Sequence, residues 1–316
     1  MRRAKWNFEK HLARFRQLVP IALLLTSGIL ENPAMAQEKG QKTFSTPVEA
    51  SEALYATAKS NDETELLEIF GPRGKEILYS GDEAEDAESR TTFLQGYEEM
   101  HRLVEEPNGT VSLYIGARNW PVPIPIVKKQ NDWYFDTEAG KEEILFRRIG
   151  RNEISAIQIC RQLAAAEKEF SQQNHEYAAN IFSDEGEHNG LYWEASSNQP
   201  ESPIGPLVAR AAADGYAVKR RSTIPYRGYF FRILTSQGKN APGGAKSYFA
   251  GGKMTSGFAF VAYPAEHRSS GVKTFLVSTD GVVFEKDLGE NTQAIAASMK
   301  RFNPDSTWRR AEDGQE

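Results

Sequence analysis

The apolar positions of the C-terminal third fall into short runs of Phe, Tyr, Val and Ile separated by Gly, Pro, Ser and Asp. The runs at 228–234 (GYFFRIL), 257–263 (GFAFVAY), 273–278 (KTFLVS) and 281–285 (GVVFE) predict an antiparallel meander. Asp280-Gly281 separates the last two runs, and a tight hairpin turn needs the positive φ that Gly supplies. Residues 258–263 are apolar at nearly every position, which predicts a strand covered on both faces. The covering element is a helix over 152–175. Its Ile154, Ile157, Cys160 or Arg161, Ala164 and Phe170 recur at three-to-four spacing, and its Ala-rich face allows close approach to a sheet.

The first half reads as helices followed by strands. Thr46, Pro47 and Glu49 have the order of an N-cap, a first-turn proline and a capping box. They open a helix carrying Ala50, Ala53, Leu54 and Ala58, which stops around Ser60–Asp62. A second helix over 63–70 ends at Gly71-Pro72, a single turn follows at 76–79, and a helix over 82–103 carries Phe93, Leu94, Tyr97, Met100 and Leu103 on one face. Strands are predicted over 110–115, 122–128 and 132–135. Pro121, Pro123 and Pro125 alternate with aliphatics, and proline donates nothing to a ladder, so this stretch is an edge strand or a docked extended segment. A helix over 138–149 follows, and Arg151-Asn152-Glu153 opens the second half. Then come the 152–175 helix, a loop over 183–206 pinned by Tyr192 and Trp193, a short helix over 207–214 ended by Gly215, the meander, and a helix over 292–302. The fold class is α+β. The expected division is a leader at 1–36, an α+β cone-like domain at 43–149, a helix-plus-sheet domain at 150–303 and a polar tail at 304–316.

The leader is the most specific signal in the chain. Six basic side chains precede the apolar run 19–30, and Ala34-Met35-Ala36 places small residues where signal peptidase reads. This predicts a secretory signal peptide cleaved after Ala36, a chain starting at Gln37, and a periplasmic or secreted location. No Cys follows the apolar run to carry a lipid anchor, and no later stretch is long and apolar enough to span a membrane. Removing residues 1–36 takes away six basic and two acidic side chains and leaves 32 against 41, a net of −9. An acidic chain without a basic stripe argues against nucleic acid as a partner; Lys219-Arg220-Arg221 reads as solvated surface. The one cysteine, Cys160, leaves stability to burial rather than disulfides.

Several segments carry resemblances. Tyr177-Ala178, the 228–232 strand and the 275–283 hairpin resemble the globular part of type IV pilins and pseudopilins, although the prepilin leader joined to a long apolar helix is absent. Helices followed by a small curved sheet make the first half similar to nuclear-transport-factor-like or cystatin-like folds. Segments 133–140 (WYFDTEAG), 147–153 (RRIGRNE), 190–193 (GLYW), 202–206 (SPIGP), 241–244 (APGG), 262–266 (AYPAE) and 269–272 (SSGV) resemble the exported bacterial family catalogued as domain of unknown function 2950. That resemblance implies export and brings no activity with it.

No catalytic motif stands out. Cys160 sits mid-helix, where an inert buried thiol is expected. No pair among His101, His175, His188 and His267 has metal-ligand spacing. Asp184, Glu185, Glu187 and His188 form an acidic loop without the twelve-residue calcium pattern. The 238–247 segment lacks the Gly-Lys-Ser/Thr ending and following helix of a phosphate loop, and reads as a hairpin. His267, Arg268 and Ser269 lack a nucleophile elbow and read as a turn. The candidate surfaces are His267, Arg268 and Arg232 converging with Gly243-Gly244 at one end of the sheet, and Tyr192 with Trp193. No cofactor or metal is implied. The leading expectation is a non-enzymatic envelope or secreted protein that binds an envelope partner or ligand; the alternative is a periplasmic hydrolase or small-molecule binder whose site comes from distant residues.

Overall fold

The structure, a computed structural model, describes residues 37, 39–194, 201–216 and 225–311; residues 1–36, where a leader is expected, and Lys219-Arg220-Arg221 lie outside the described residues. The described residues fall in one compact unit that mixes helices with antiparallel sheets.

Helix α1 (Pro47–Ser60) begins as expected, with Thr46 Oγ1 accepting the Glu49 amide at 3.1 Å. The return arm of the box is displaced by one residue, because Glu49 accepts the Ser45 amide. Asn61 in the left-handed region ends it, α2 (Glu63–Phe70) follows from an Asp62 cap, and α3 (Gly74–Leu78) adds one turn. Helix α4 (Glu83–Glu99) is capped by Asp82 and is shorter than its apolar stripe predicts. His101–Glu105 is strand β1, paired with β2 (Val111–Ile115) across a turn at 106–110. Leu103 therefore lies opposite Leu113 rather than on a helix, since the hairpin satisfies backbone groups that the helix end would leave free.

Strands β3 (Trp120–Pro121), β4 (Ile126–Lys129) and β5 (Asp132–Phe135) complete the sheet in the order β1-β2-β4-β5, with β3 also on β2. The Pro-rich segment 122–125 contributes no strand and docks through buried Ile124. Phe44, Leu54, Leu66, Ile69, Phe70, Ile126 and Phe135 form the core between this sheet and the first helices.

The two helices expected at 138–149 and 152–175 are one helix, α5 (Thr137–Asn174), which at 38 residues spans about 57 Å at 1.5 Å per residue. Gly150 is helical, and the polar residues around it meet partners on either side rather than breaking the chain. Ile154 is 45 % exposed, because its stripe continues through exposed Gln158 and Arg161. Ile157, Cys160, Leu163, Ala164 and Phe170 face inward instead.

The expected 183–206 loop holds β7 (Gly190–Tyr192), parallel to β6 (Asn180–Phe182), and α6 (Gly205–Ala213) starts before Leu207. The meander is present as β8 (Tyr229–Leu234), then, after β9 (Ser236–Gln237), β10 (Lys246–Ser247), β11 (Phe249–Ala250) and β12 (Lys253–Met254), as β13 (Ala259–Pro264), β14 (Lys273–Ser278) and β15 (Val283–Asp287). Every residue of β13 is buried, between α5 on one face and α7 (Thr292–Ser298) on the other. α7 stops short of Phe302, which with Arg301 forms β16 parallel to β9. Part of the polar tail is structured as well: Arg309–Arg310 (β17) pairs with β15.

Candidate functional site

The short helices of the first half do not close over their sheet completely. They leave an open cavity of about 680 Å³ between α1, α2, α3, α4 and α5. Leu54 and Ala58 of α1, Leu66 and Phe70 of α2, and Ile77 and Leu78 of α3 give it apolar walls. Val122, from the proline-interrupted segment, and Phe93 of α4 complete them. The N-terminal two turns of α4 bring polar groups instead: Glu83, Asp86, Ser89 and Arg90, at helical spacing, line the cavity. A helix face that would ordinarily be apolar is polar here, so the space stays unfilled by side chains. Tyr79, also in the lining, donates to Glu63 Oε2 at 2.9 Å.

Arg148 of α5 is the deepest charged group in this lining. It is 6 % exposed. Its Nη2 donates to the Ile77 carbonyl at 2.7 Å, at the C-terminal end of α3 where a cation is favoured. Its Nη1 is buried without a partner. Burial pulls the guanidinium below its ordinary pKa, while Glu85 and Asp86 oppose the shift. Asp86 is pushed upward by burial, and both its oxygens accept the Ser80 amide, at 3.0 and 3.1 Å. An apolar chamber of this size with one donor to spare suits a small organic molecule.

Behind the cavity a filled polar seam ties the two cores together. Asp82 Oδ2 accepts from Tyr216 Oη at 2.8 Å and the Gly228 amide at 3.0 Å, while its Oδ1 caps α4 through the Glu85 amide. Glu85 accepts from Arg151 at 2.7 Å and Asn152 at 3.0 Å, and Asn152 also donates to the Ser270 carbonyl. Glu153 Oε1 accepts the Val272 and Lys273 amides, both at 2.9 Å. Gly228 has φ 72°, and a Cβ there would stand 2.7 Å from Asn152 Nδ2. Burial pushes the Asp82 carboxyl up despite three donors. The seam is packed rather than open, which makes it a joint and not a binding site.

The residues singled out from the sequence are distributed otherwise. Arg232, in β8, donates from Nη2 to the Ala296 and Met299 carbonyls at the end of α7, which is a capping role. His267 pairs with Asp287 at 2.9 Å beyond the end of β13, and Arg268 is exposed in a turn at φ 64°. β13 runs antiparallel to β8, so His267 and the Gly243-Gly244 loop lie at opposite ends of the sheet, and the convergence expected from the sequence does not occur. Trp193 is buried rather than surface-exposed and stacks on His188 at 4.5 Å, while Tyr192 is half-buried against Phe182.

The acidic loop lines a separate cavity of about 520 Å³, but among the described residues no three His, Cys, Asp or Glu side chains come together in a way that could hold a metal ion. The 238–247 segment joins β9 to β10, and Gln237 Nε2 donates to the Pro242 and Gly244 carbonyls inside it. Its inward groups are therefore partly carbonyls, unlike a phosphate cradle. Cys160 is fully buried, and burial pushes its thiol up to about 12. Among the described residues no helix is long and apolar enough to cross a membrane.

Sequence reasoning missed the cavity. Its signal lies in the polar face of α4's first turns, set beside three apolar helices, and in Arg148 of α5 next to a buried face. No curated protein and no solved structure matches this chain. Residues 41–311 match the family model described as "Protein of unknown function (DUF2950)", and the chain belongs to that family.

Proposed function

We propose that this is an exported, non-enzymatic protein that binds a small organic molecule in the cavity between α1–α4 and α5. The observation that carries the reading is an apolar chamber of about 680 Å³ with a buried, incompletely satisfied Arg148 in its lining. Export rests on the leader: six basic residues, an apolar run and Ala34-Met35-Ala36, with cleavage after Ala36 and a periplasmic or secreted location. The pilin-like order of helix and meander in the second half fits an envelope setting, in which that half holds the binding half in place through the buried seam.

The competing reading is a hydrolase. Ser89 and Asp86 line the cavity, and Asp86 is raised by burial. Among the described lining residues, however, there is no histidine or cysteine, and the Asp86 oxygens are occupied by Ser80. A Ser–His or Cys–His pair is therefore missing from the described lining.

The test is a titration of the chain from Gln37 onward with N-phenyl-1-naphthylamine, an uncharged probe whose fluorescence rises in apolar surroundings. Saturable one-site binding is expected in the parent. It should be lost in Ala58→Trp, which fills the cavity from α1, with the far-ultraviolet circular dichroism unchanged. Absence of saturable binding, or equal binding by the folded variant, overturns the reading.

A further inference from the structure

The cavity's charges narrow the class of molecule it takes, given the binding role proposed above. Arg148 Nη1 is a buried donor without a protein acceptor, and leaving such a group unsatisfied is costly, so a ligand oxygen placed there gains a bond that the protein does not supply. A carboxylate or phosphate is the obvious acceptor for a guanidinium. Here, though, the positive charge of Arg148 is already opposed by Glu85 and Asp86. Asp86 lines the same cavity, as do Glu63 and Glu83, against Arg90 as the second cation. An anionic head would sit beside Asp86, whose like charge repels it. A cationic head would face Arg148 and leave Nη1 without its bond.

We infer that the cavity takes an uncharged amphipathic molecule whose carbonyl or hydroxyl oxygen accepts a hydrogen bond from Arg148 Nη1, with its apolar body against Leu54, Leu66, Phe70 and Phe93. Alcohols, ketones, amides and esters with a hydrocarbon portion are the matching class. The walls supply affinity through apolar burial, and Arg148 supplies orientation and the preference for an oxygen.

The test is competition. The chain from Gln37 onward is loaded with N-phenyl-1-naphthylamine, and the probe is displaced by decan-1-ol, decanoate and decylammonium below their aggregation concentrations. The three share one tail and differ only in head charge. Decan-1-ol is expected to displace the probe at about tenfold lower concentration than decylammonium, the factor that one net hydrogen bond of about 1.4 kcal/mol supplies, and at lower concentration than decanoate, which Asp86 repels. Arg148→Met should reduce the advantage of decan-1-ol over decylammonium several-fold.

Displacement led by decanoate or decylammonium overturns the uncharged-ligand inference and leaves the cavity reading standing. A probe that never binds overturns both. Arg148 also holds the Ile77 carbonyl, so Arg148→Met is checked by thermal unfolding. If it fails to fold, the ranking of the three heads on the parent protein decides alone.

Discussion

Glu167 lies on α5 with no exposed surface, in the core that α5 makes with the C-terminal sheet. Its Oε2 accepts the Ala178 amide at 2.9 Å, and its Oε1 has no partner. Burial pushes this carboxyl from 4.5 up to about 8, with the Ala178 bond opposing the shift. The folded protein thus holds the proton more tightly than the unfolded chain does. The stability this supplies is complete below about pH 4.5 and is lost as the pH rises through about 8. Each pH unit well inside that window costs on the order of 1 kcal/mol, so between pH 5 and pH 8 this one group removes a few kcal/mol. That is a large share of the ~5–15 kcal/mol that keeps a protein folded. Glu167→Gln keeps an oxygen for Ala178 and cannot ionise. It buries an amide NH2 without a partner, at a pH-independent cost of about 1–3 kcal/mol. The variant should be the less stable protein at pH 5, and the gap should close or reverse by pH 8. The assay is urea unfolding of both proteins at pH 5, 6, 7 and 8, comparing their difference so that other titrating groups cancel. Parallel stability profiles over that range would refute the reasoning, because they would mean that the buried carboxyl is ionised in the folded state.

Asp82→Ala strands the Tyr216 hydroxyl and the Gly228 and Glu85 amides in the seam, and should cost about 3 kcal/mol or more in urea unfolding; a loss under about 0.5 kcal/mol would mean that water replaces the carboxylate there. Gly228→Ala combines φ 72° with a Cβ 2.7 Å from Asn152 Nδ2 and 2.9 Å from Ser270 Cβ, and is expected to lose about 1–3 kcal/mol by thermal unfolding, whereas Gly244→Ala, equally positive in φ but with open space around it, should lose less. The Cys160 thiol, fully buried and with its pKa pushed up to about 12, should react with an aromatic disulfide reagent at least ~100-fold more slowly in the native protein than in urea; fast native labelling would contradict the packing of α5 on the sheet.

Local signals with a single physical cause are legible in the chain itself. Thr46 and Asp62 cap the helices that their side chains predict, and Gly281 turns the hairpin that Asp280-Gly281 predicts. A run without polar interruption becomes a buried strand, as in β13. Where the expectation departs from the structure, a long-range partner outweighs a local preference. Leu103 continues a helical stripe in sequence, but His101–Glu105 pairs with Val111–Ile115. Arg151-Asn152-Glu153 reads as the opening of the second half, with separate helices over 138–149 and 152–175. Glu85, Ser270 and the Val272 and Lys273 amides give those side chains partners, so α5 continues.

The α+β class, the meander, the caps and the burial of Cys160 thus follow from the chain alone, since each depends on neighbours within a few residues or on burial periodicity. The location of the site depends on packing between distant elements. The lining of the cavity comes from residues 54–93 together with Val122 and Arg148. No spacing rule links positions so far apart, and whether a helix face meets a filled core or an empty one is settled only when five helices are packed together. The same holds for His267 and the Gly243-Gly244 loop, whose chemistry suggests a shared site. They are kept apart by the antiparallel register of β8 and β13, which the composition of either strand does not encode.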